Sequence, residues 1–289
     1  MIRKVVVTGG SGRVGRYVVR ELAKSYDVIN ADLVADDSGV QHETVDVMDL
    51  DALRRVCKGA DALVHLAAID FDWKAAPEKY IRVNTLGTWH ALQAASENNL
   101  SKVVLCSSIS ACGLSEMRPE WRPHYLQVNE RHENRPVQAY SVSKLLMEKM
   151  ALSFAQGTSM SVLSLRPLAV VLQETFAQYV EFVEAPDRNW LFYYVTAEDV
   201  ARAFAAALVS NVRQGEFFLS AADTSRPEPT LEWYADRFGA LPEIPNPRIF
   251  EQNPRASIFS SAKARDYLGW EPSSNYLEMR KTLTKEQTV

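Results

Sequence analysis

Tyr140 and Lys144 begin and end the segment Tyr-Ser-Val-Ser-Lys, so a phenol and an ammonium lie four positions apart along the chain. At this spacing two helical residues share one face. A free phenol, with a pKa of roughly 10, is a poor base at neutral pH, but a nearby ammonium lowers that pKa. The pair could therefore exchange a proton with a substrate hydroxyl or carbonyl. Without further context, an ordinary surface pair is the alternative.

A glycine-rich turn near the start of the chain is the second candidate for chemistry. Gly9, Gly12 and Gly15 follow the apolar run at 5–7 and open a helical pattern at 14–24. The first glycine permits a tight turn, the second leaves room for a pyrophosphate, and the third lets helix and strand pack closely. This context favours a dinucleotide-binding turn over a chance cluster of glycines.

Two acidic residues close predicted strands. Asp32 ends the second strand, where a carboxylate can accept hydrogen bonds from a ribose diol and repel a 2′-phosphate. It therefore predicts NAD rather than NADP, although the guanidinium of Arg13 in the glycine turn could offset the repulsion. Asp46 ends the third strand and could bind an adenine amino group; a helix N-cap or a solvated turn stays an alternative.

Serines follow the fifth predicted strand. Ser107, Ser108 and Ser110 lie at the carboxyl edge of the sheet, where ligands of open α/β folds bind. A hydroxyl there could hold the reacting oxygen in line with the tyrosine, whereas a bare serine cluster would be only a turn. His65, within a buried strand, and His90, on a long helix, are expected to be structural.

Alternating strands and helices position these residues. Strands are predicted at 5–7, 28–31, 43–47, 62–66, 103–106 and 161–165, and helices at 14–24, 51–57, 77–98 and 139–155. This alternation predicts an α/β fold with a doubly wound, Rossmann-like parallel sheet.

The pattern is weaker after residue 167. Helices are predicted at 197–209, 231–238, 261–268 and 276–284, with a strand at 216–219 and a proline-rich loop at 242–254. We expect a dinucleotide-binding Rossmann domain over 1–167. A small substrate-side lobe would cover 168–289, with parts returning to the main sheet.

Composition limits the possible partners. The 289 residues carry a net charge of −4, from 36 acidic and 32 basic residues, so no basic face for nucleic acid is expected. No stretch approaches the roughly 20 apolar residues of a membrane helix, and the chain begins with a strand pattern rather than a signal peptide. The three cysteines lack metal-ligand spacing and fit a reducing compartment. We expect a cytoplasmic protein without a metal site.

With these motifs in order along nearly the whole chain, the sequence resembles an extended short-chain dehydrogenase/reductase of the NAD-dependent epimerase/dehydratase family. The resemblance implies a catalytic triad of Ser108, Tyr140 and Lys144, with Ser110 facing the substrate. Counting back from Gly113, which resembles the glycine that closes the family's post-strand motif, selects Ser108 over Ser107. The further NAD contacts implied by the resemblance are Arg13, Val14, Asp46, Val47, Leu66, Ala67, Ala68, Asn84, Ser107, Pro167 and Leu168.

Departures from the family pattern narrow the expected activity. Ile109 and Ser110 replace the Asp-Glu pair of dehydratases, so dehydration is not expected. The short segment 168–198 indicates a small substrate without a nucleotide. The chain is similar to uronate dehydrogenases, which oxidise the anomeric carbon of a hexuronic acid, and Arg188 would match their carboxylate-binding arginine. An exposed loop arginine is the alternative.

These expectations combine into an NAD-dependent dehydrogenase that acts on a hydroxyl of a small free sugar, sugar acid or polyol. An epimerase using the same residues is the alternative. A non-catalytic NAD(H) sensor is disfavoured because both Tyr140 and Lys144 are present. The resemblance also implies a homodimer, in which helices 77–98 and 139–155 of two protomers form a four-helix interface.

Overall fold

Alternate valines of the first strand face opposite sides of a single sheet. The computed structural model describes residues 2–71, 75–185 and 189–286. Val5 and Val7 belong to one apolar core and Val6 to another, and all three are completely buried. Successive side chains of a strand point to opposite faces, so this strand must lie between two helical layers.

The strands are β1 (Lys4–Thr8), β2 (Asp27–Asp32), β3 (Gln41–Thr44), β4 (Ala62–His65), β5 (Lys102–Cys106), β6 (Ser161–Pro167), β7 (Val170–Val171), β8 (Val195–Thr196) and β9 (Gln214–Leu219). The main sheet has the order β3-β2-β1-β4-β5-β6-β9, with every neighbouring pair parallel. The short strands β7 and β8 pair separately. The strand order reverses between β1 and β4, which opens a crevice at their carboxyl ends.

The helices are α1 (Gly15–Leu22), α2 (Leu50–Cys57), α3 (Pro77–Tyr80), α4 (Gly87–Glu97), α5 (Ala139–Gly157), α6 (Phe176–Glu184), α7 (Ala197–Val209), α8 (Thr230–Phe238), α9 (Arg248–Gln252), α10 (Ala262–Leu268) and α11 (Tyr276–Glu286). A π-helical stretch, Ile81–Leu86, joins α3 to α4. Buried residues of α1 and α7 belong to one core, and those of α2, α4 and α5 to the other. Within the described ranges, no helix has the length and apolar character needed to cross a bilayer.

This architecture confirms the predicted doubly wound α/β fold, although some element boundaries were wrong. The third strand was expected at 43–47 but spans Gln41–Thr44. Val45 and Val47 follow that strand and are apolar because they pack in the core beside α2. The segment 242–254, expected as loop, contains α9, which begins after Pro247 because proline is compatible with a first helical turn.

The C-terminal part of the chain contributes to the main sheet. β9 lies at the sheet edge beside β6, and the start of α7 is tied to the segment before α11. There the Asp199 carboxylate accepts hydrogen bonds from the backbone and side chains of Ser273 and Ser274. The division into a domain over 1–167 and a lobe over 168–289 stays a prediction.

The turn between β1 and α1 requires glycine at two positions. Gly9 has a φ of +74°, and a Cβ there would lie 2.5 Å from the backbone nitrogen of Ala67. A Cβ on Gly15 would lie 2.1 Å from the Gly9 carbonyl oxygen. Both positions therefore exclude a side chain, and the turn packs directly against the loop that follows β4.

Gly15→Ala is expected to lower the free energy of unfolding by about 2 kcal/mol or more, because backbone must move to admit the methyl group. Gly157→Ala is the matched control, since a Cβ there has no atom within 4 Å in the described structure. Its stability should be unchanged or up to about 1 kcal/mol higher. Urea denaturation measures both; equal stability of the two variants would contradict the packing of this turn.

Candidate functional site

A cleft of about 410 Å³ opens at the carboxyl edge of the sheet, where the topology predicts a ligand site. The glycine turn, the loops after β4 and β5, the start of α5 and the chain after β6 form its walls. The predicted site residues that line it are Gly9, Gly12, Arg13, Val14, Gly15, Leu66, Ala68, Ser107, Ser108, Ser110, Tyr140, Lys144, Pro167 and Leu168.

Ser108 and Tyr140, which are predicted to bind the reacting oxygen and to exchange its proton, both line this cleft. Tyr140 lies in the first turn of α5, and Ser108 follows the end of β5. The Ser108 oxygen accepts a hydrogen bond from the backbone N–H of Ser110 at 3.1 Å. Edge contacts from Phe71 and Tyr80, with ring centroids 5.6 and 5.8 Å away, fix the phenol ring.

Burial is the largest influence on the pKa values of Tyr140 and Lys144. It raises the pKa of Tyr140, and the negative charge of Asp70 acts in the same direction, while the hydrogen bond from Ser108 opposes them. Burial likewise lowers the pKa of Lys144. The expectation that Lys144 makes this phenol more acidic is not met in the protein alone, because desolvation of the phenolate raises its pKa.

Lys144 is directed toward the end of β5. Its Nζ donates a hydrogen bond to the Cys106 carbonyl at 2.7 Å and lies 5.7 Å from the centroid of the Tyr140 ring. The ammonium is thus held within the cleft, one helical turn below the phenol. It can interact with a ligand that lies across the end of β5.

Sequence reasoning missed Glu148, the group that joins these elements. Its carboxylate accepts a hydrogen bond from Ser107 at 2.6 Å and two from the Arg166 guanidinium, each at 2.7 Å. The side chains of Glu148 and Arg166 are each 2% exposed. The sequence did contain a signal for this contact. Tyr140, Lys144 and Glu148 are spaced four residues apart and so share a helix face, and Arg166 lies near the end of an apolar strand.

Asp32 lies beside the glycine turn, as predicted. Its Oδ2 accepts a hydrogen bond from the backbone N–H of Ser11 at 3.0 Å. Arg13 forms a close hydrogen bond with Asp70 on the loop after β4. The guanidinium is thus paired with Asp70, which reduces its capacity to offset the charge of Asp32.

Besides Asp32, four predicted cofactor contacts lie outside the cleft walls. Asp46 accepts a hydrogen bond from Met48 N–H at 2.9 Å, as in the solvated turn that was its alternative. Val47 is buried, with its side chain against Gly87. Ala67 places backbone against Gly9. Their contact with a cofactor stays a prediction.

Asn84, the fourth, is completely buried. Its Oδ1 accepts a hydrogen bond from Ile69 N–H at 2.7 Å, and its Nδ2 donates to the Ile69 carbonyl and to Ser143. This side chain clamps the loop after β4 to α5, so it shapes the cleft from behind. The remaining predicted contact, Arg188, lies outside the described residues.

The described histidines and acidic residues do not form a metal site: no group of three or more potential ligands comes together among them. His65 is hydrogen-bonded through both ring nitrogens, to Thr8 and Thr88. Burial lowers its pKa to about 3, which keeps the ring neutral. His65 is therefore structural, as expected.

The glycine turn fits a dinucleotide. It precedes α1 and lines the same cleft as Tyr140. A Cβ on Gly12 would have only the Gly9 carbonyl, at 3.2 Å, within 4 Å among the described atoms. The missing side chains therefore create a cradle next to the positive end of the helix dipole, which is suited to a pyrophosphate.

The chain is similar in sequence to proteins that are named as sugar dehydrogenases and as a sugar epimerase. The chain is 31% identical over 168 residues to the L-arabinose 1-dehydrogenase (NAD(P)(+)) of Haloferax volcanii, covering 56% of this chain and just 65% of that enzyme. It is 23% identical to the uronate dehydrogenase of Pseudomonas syringae pv. tomato, over 71% and 69% of the two chains. The UDP-glucose 4-epimerase of Streptococcus mutans is 25% identical, over 95% and 93%.

The fold and the sequence family agree. A short-chain dehydrogenase/reductase superfamily protein from Agrobacterium tumefaciens, solved with bound NAD, superposes with a TM-score of 0.72 at 23% identity, over 99% of this chain and 100% of that one. The model of the NAD dependent epimerase/dehydratase family matches residues 5–185. The chain therefore belongs to the NAD dependent epimerase/dehydratase family, and as a member it is an enzyme that uses NAD.

Proposed function

We propose that this protein is a dehydrogenase that oxidises a hydroxyl of a small free sugar, sugar acid or polyol with NAD. One observation carries the proposal: Ser108 and Tyr140 line the same cleft as the glycine turn. A proton-transfer group and a dinucleotide cradle at one sheet edge are the two requirements of hydride transfer from an alcohol.

Each residue of the triad has a separate role. Ser108 binds the reacting oxygen of the substrate and aligns it with the phenol. Tyr140, as phenolate, accepts the hydroxyl proton, while the carbon that bears the hydroxyl loses a hydride and becomes a carbonyl. Lys144 supplies the positive charge that favours the phenolate and holds the nicotinamide ribose. When bound, NAD supplies the hydride-accepting nicotinamide ring.

The relatives and the short segment 168–198 support a substrate without a nucleotide. The arabinose and uronate dehydrogenases act, by name, on small sugars or sugar acids. Ile109 and Ser110 occupy the positions at which dehydratases of the family carry Asp and Glu, so dehydration has no acid–base pair here. Arg188 stays the proposed carboxylate contact for a uronate-like substrate.

A sugar epimerase is the second candidate. The match to UDP-glucose 4-epimerase favours it, because that alignment spans almost the whole of both chains. Epimerisation uses the same proton transfer but returns the hydride to the opposite face of the same sugar. The two activities differ in one measurable product, since only the dehydrogenase releases NADH in each turnover.

We also propose a cytoplasmic homodimer. Ile81, Leu86, Trp89 and Leu146 are each 38–42% exposed on the helices expected to form the four-helix interface. An apolar face of this kind is typical of a subunit contact. Cys57, Cys106 and Cys112 are free thiols, which fits a reducing compartment.

Net NADH formation tests the dehydrogenase. The protein, incubated with NAD and a panel of aldoses, hexuronates and polyols, is expected to produce NADH in proportion to the substrate consumed. Absorbance at the NADH band gives the rate, and chromatography gives the sugar product. Isomerised sugar without NADH in solution would establish the epimerase instead, and no reaction with any of these compounds would overturn the proposed substrate class.

Tyr140→Phe is expected to reduce kcat by a factor on the order of 10²–10⁴, since general acid–base catalysis contributes about that much. NAD affinity, measured by calorimetric titration, should change little, because the ring is retained. Tyr267→Phe is the control, as Tyr267 is 64% exposed and lies outside the cleft. Full activity of Tyr140→Phe would refute the mechanism.

Asp32→Ala is expected to weaken NAD binding by roughly 10-fold or more, because the hydrogen bonds of a charged carboxylate to the ribose diol are lost. NADP binding should weaken much less or improve, since repulsion of the 2′-phosphate is removed. Asp37→Ala is the control, because it removes a carboxylate that is 85% exposed. The dissociation constants of both cofactors are compared between the two variants. Equal losses for NAD and NADP would contradict the ribose assignment.

A further inference from the structure

The end of the cleft nearest Ser110 is lined by groups that the triad and the glycine turn do not use. Ser110 and Ser115 form a hydroxyl pair, in which Ser115 donates to Ser110 at 2.9 Å. Trp190 and Tyr193, from the segment before β8, form an aromatic wall of the same cleft, with ring centroids 4.6 Å apart. This end therefore combines hydroxyl groups with flat apolar surfaces.

Two polar atoms of the aromatic wall have no partner within the described protein. The indole N–H of Trp190 and the hydroxyl of Tyr193 are both buried, and neither makes a hydrogen bond there. Tyr193 is completely buried as a residue. Buried polar groups in proteins are almost always paired, and an unpaired donor in a cleft needs a reason. A ligand oxygen is the partner that the cleft can admit.

The wall is held in place by its backbone rather than by these atoms. The Tyr193 carbonyl accepts a hydrogen bond from Tyr179 at 3.2 Å, and the flanking carbonyls of Phe192 and Tyr194 accept backbone hydrogen bonds at 2.9 and 2.8 Å. The Tyr193 ring also packs edge-on against Phe259. Both polar atoms are thus positioned in advance, which reduces the entropy cost of binding a ligand.

The charges around the cleft indicate which ligand groups this end accepts. The charged residues among its described lining are Arg13, Asp70 and Lys144. Arg13 pairs with Asp70, and Lys144 donates to the end of β5. The described part of the Ser110 end therefore offers donors without net charge. An indole N–H can only donate, so it requires an acceptor oxygen, and a tyrosine hydroxyl can serve either role.

We propose that Trp190 and Tyr193 form a specificity subsite that binds uncharged oxygens of a monosaccharide. Each donates one hydrogen bond to a hydroxyl or ring oxygen, while the partly exposed ring of Trp190 covers an apolar face of the sugar. This inference rests on the proposed sugar-oxidising function and goes beyond it by assigning two specificity residues. The subsite favours a sugar with the matching hydroxyl over its deoxy analogue, because the deoxy compound leaves a buried donor unpaired.

Trp190→Phe and Tyr193→Phe remove one polar atom each and keep an aromatic ring. Each variant is expected to lower kcat/KM for the best aldose of the panel by about 10-fold to 100-fold. The monodeoxy analogue that lacks the matched hydroxyl should show a much smaller loss. NAD affinity should be unchanged, and Tyr193→Phe should unfold at the same temperature or higher, because no hydrogen bond is lost in the free protein.

Tyr234→Phe is the matched control, since Tyr234 is a buried tyrosine on α8 that does not line this cleft. It should leave the sugar kinetics unchanged. If the wild type forms NADH but both cleft variants keep its kcat/KM on every sugar, the subsite is refuted while the proposed function stands. Equal losses on the parent sugar and all deoxy analogues would also refute it, since they indicate packing. If the wild type oxidises no sugar, the proposed function fails and this inference fails with it.

Discussion

The buried contact between Glu148 and Arg166 is the interaction on which the site geometry depends. It joins α5, which carries Tyr140 and Lys144, to the end of β6, and Ser107 adds the end of β5 through the same carboxylate. A guanidinium and a carboxylate that meet through two parallel hydrogen bonds fix both distance and orientation. Removal of one partner from such a pair leaves an unpaired buried charge, which costs about 3–5 kcal/mol.

Burial of the site has a second, chemical consequence. The environment that fixes Tyr140 and Lys144 also removes water from both, so the pKa of the phenol rises and that of the ammonium falls. Both shifts favour neutral groups when the protein is alone. The proposed deprotonation of Tyr140 has to overcome this desolvation. A bound NAD, whose nicotinamide is cationic, would add positive charge to that of Lys144 in the cleft.

The cleft separates two kinds of recognition. At the glycine turn, binding relies on backbone N–H groups and the absence of side chains, which suits a phosphate of any dinucleotide. Trp190 and Tyr193 line the same cleft, and the indole N–H and the phenol hydroxyl are buried without a hydrogen-bond partner in the described protein. A family that keeps the first kind and changes the second can retain its hydride chemistry while its substrates differ.

The sequence by itself determined the features that depend on local spacing. The glycine turn follows from three residues at fixed intervals, and the shared face of Tyr140 and Lys144 follows from helical periodicity. The buried parallel strands follow from short apolar runs, and these features were enough to predict the fold and the pairing of Tyr140 with Lys144. The choice of Ser108 over Ser107 came instead from the resemblance to a family motif that ends at Gly113. Even here β3 was placed two residues too late, because apolar residues that pack beside a helix resemble a strand.

Only the tertiary structure decided which distant residues meet and how far each one is buried. It brought Glu148 to Arg166, turned Asn84 into a clamp behind the cleft, and placed Trp190 and Tyr193 at the Ser110 end. It also reversed the expected balance at Tyr140, because the desolvation of a phenolate depends on every neighbour that excludes water. Spacing along the chain fixes which residues share a helix face. Long-range packing fixes the surroundings of that face, and the surroundings set the pKa values and the hydrogen bonds left for a ligand.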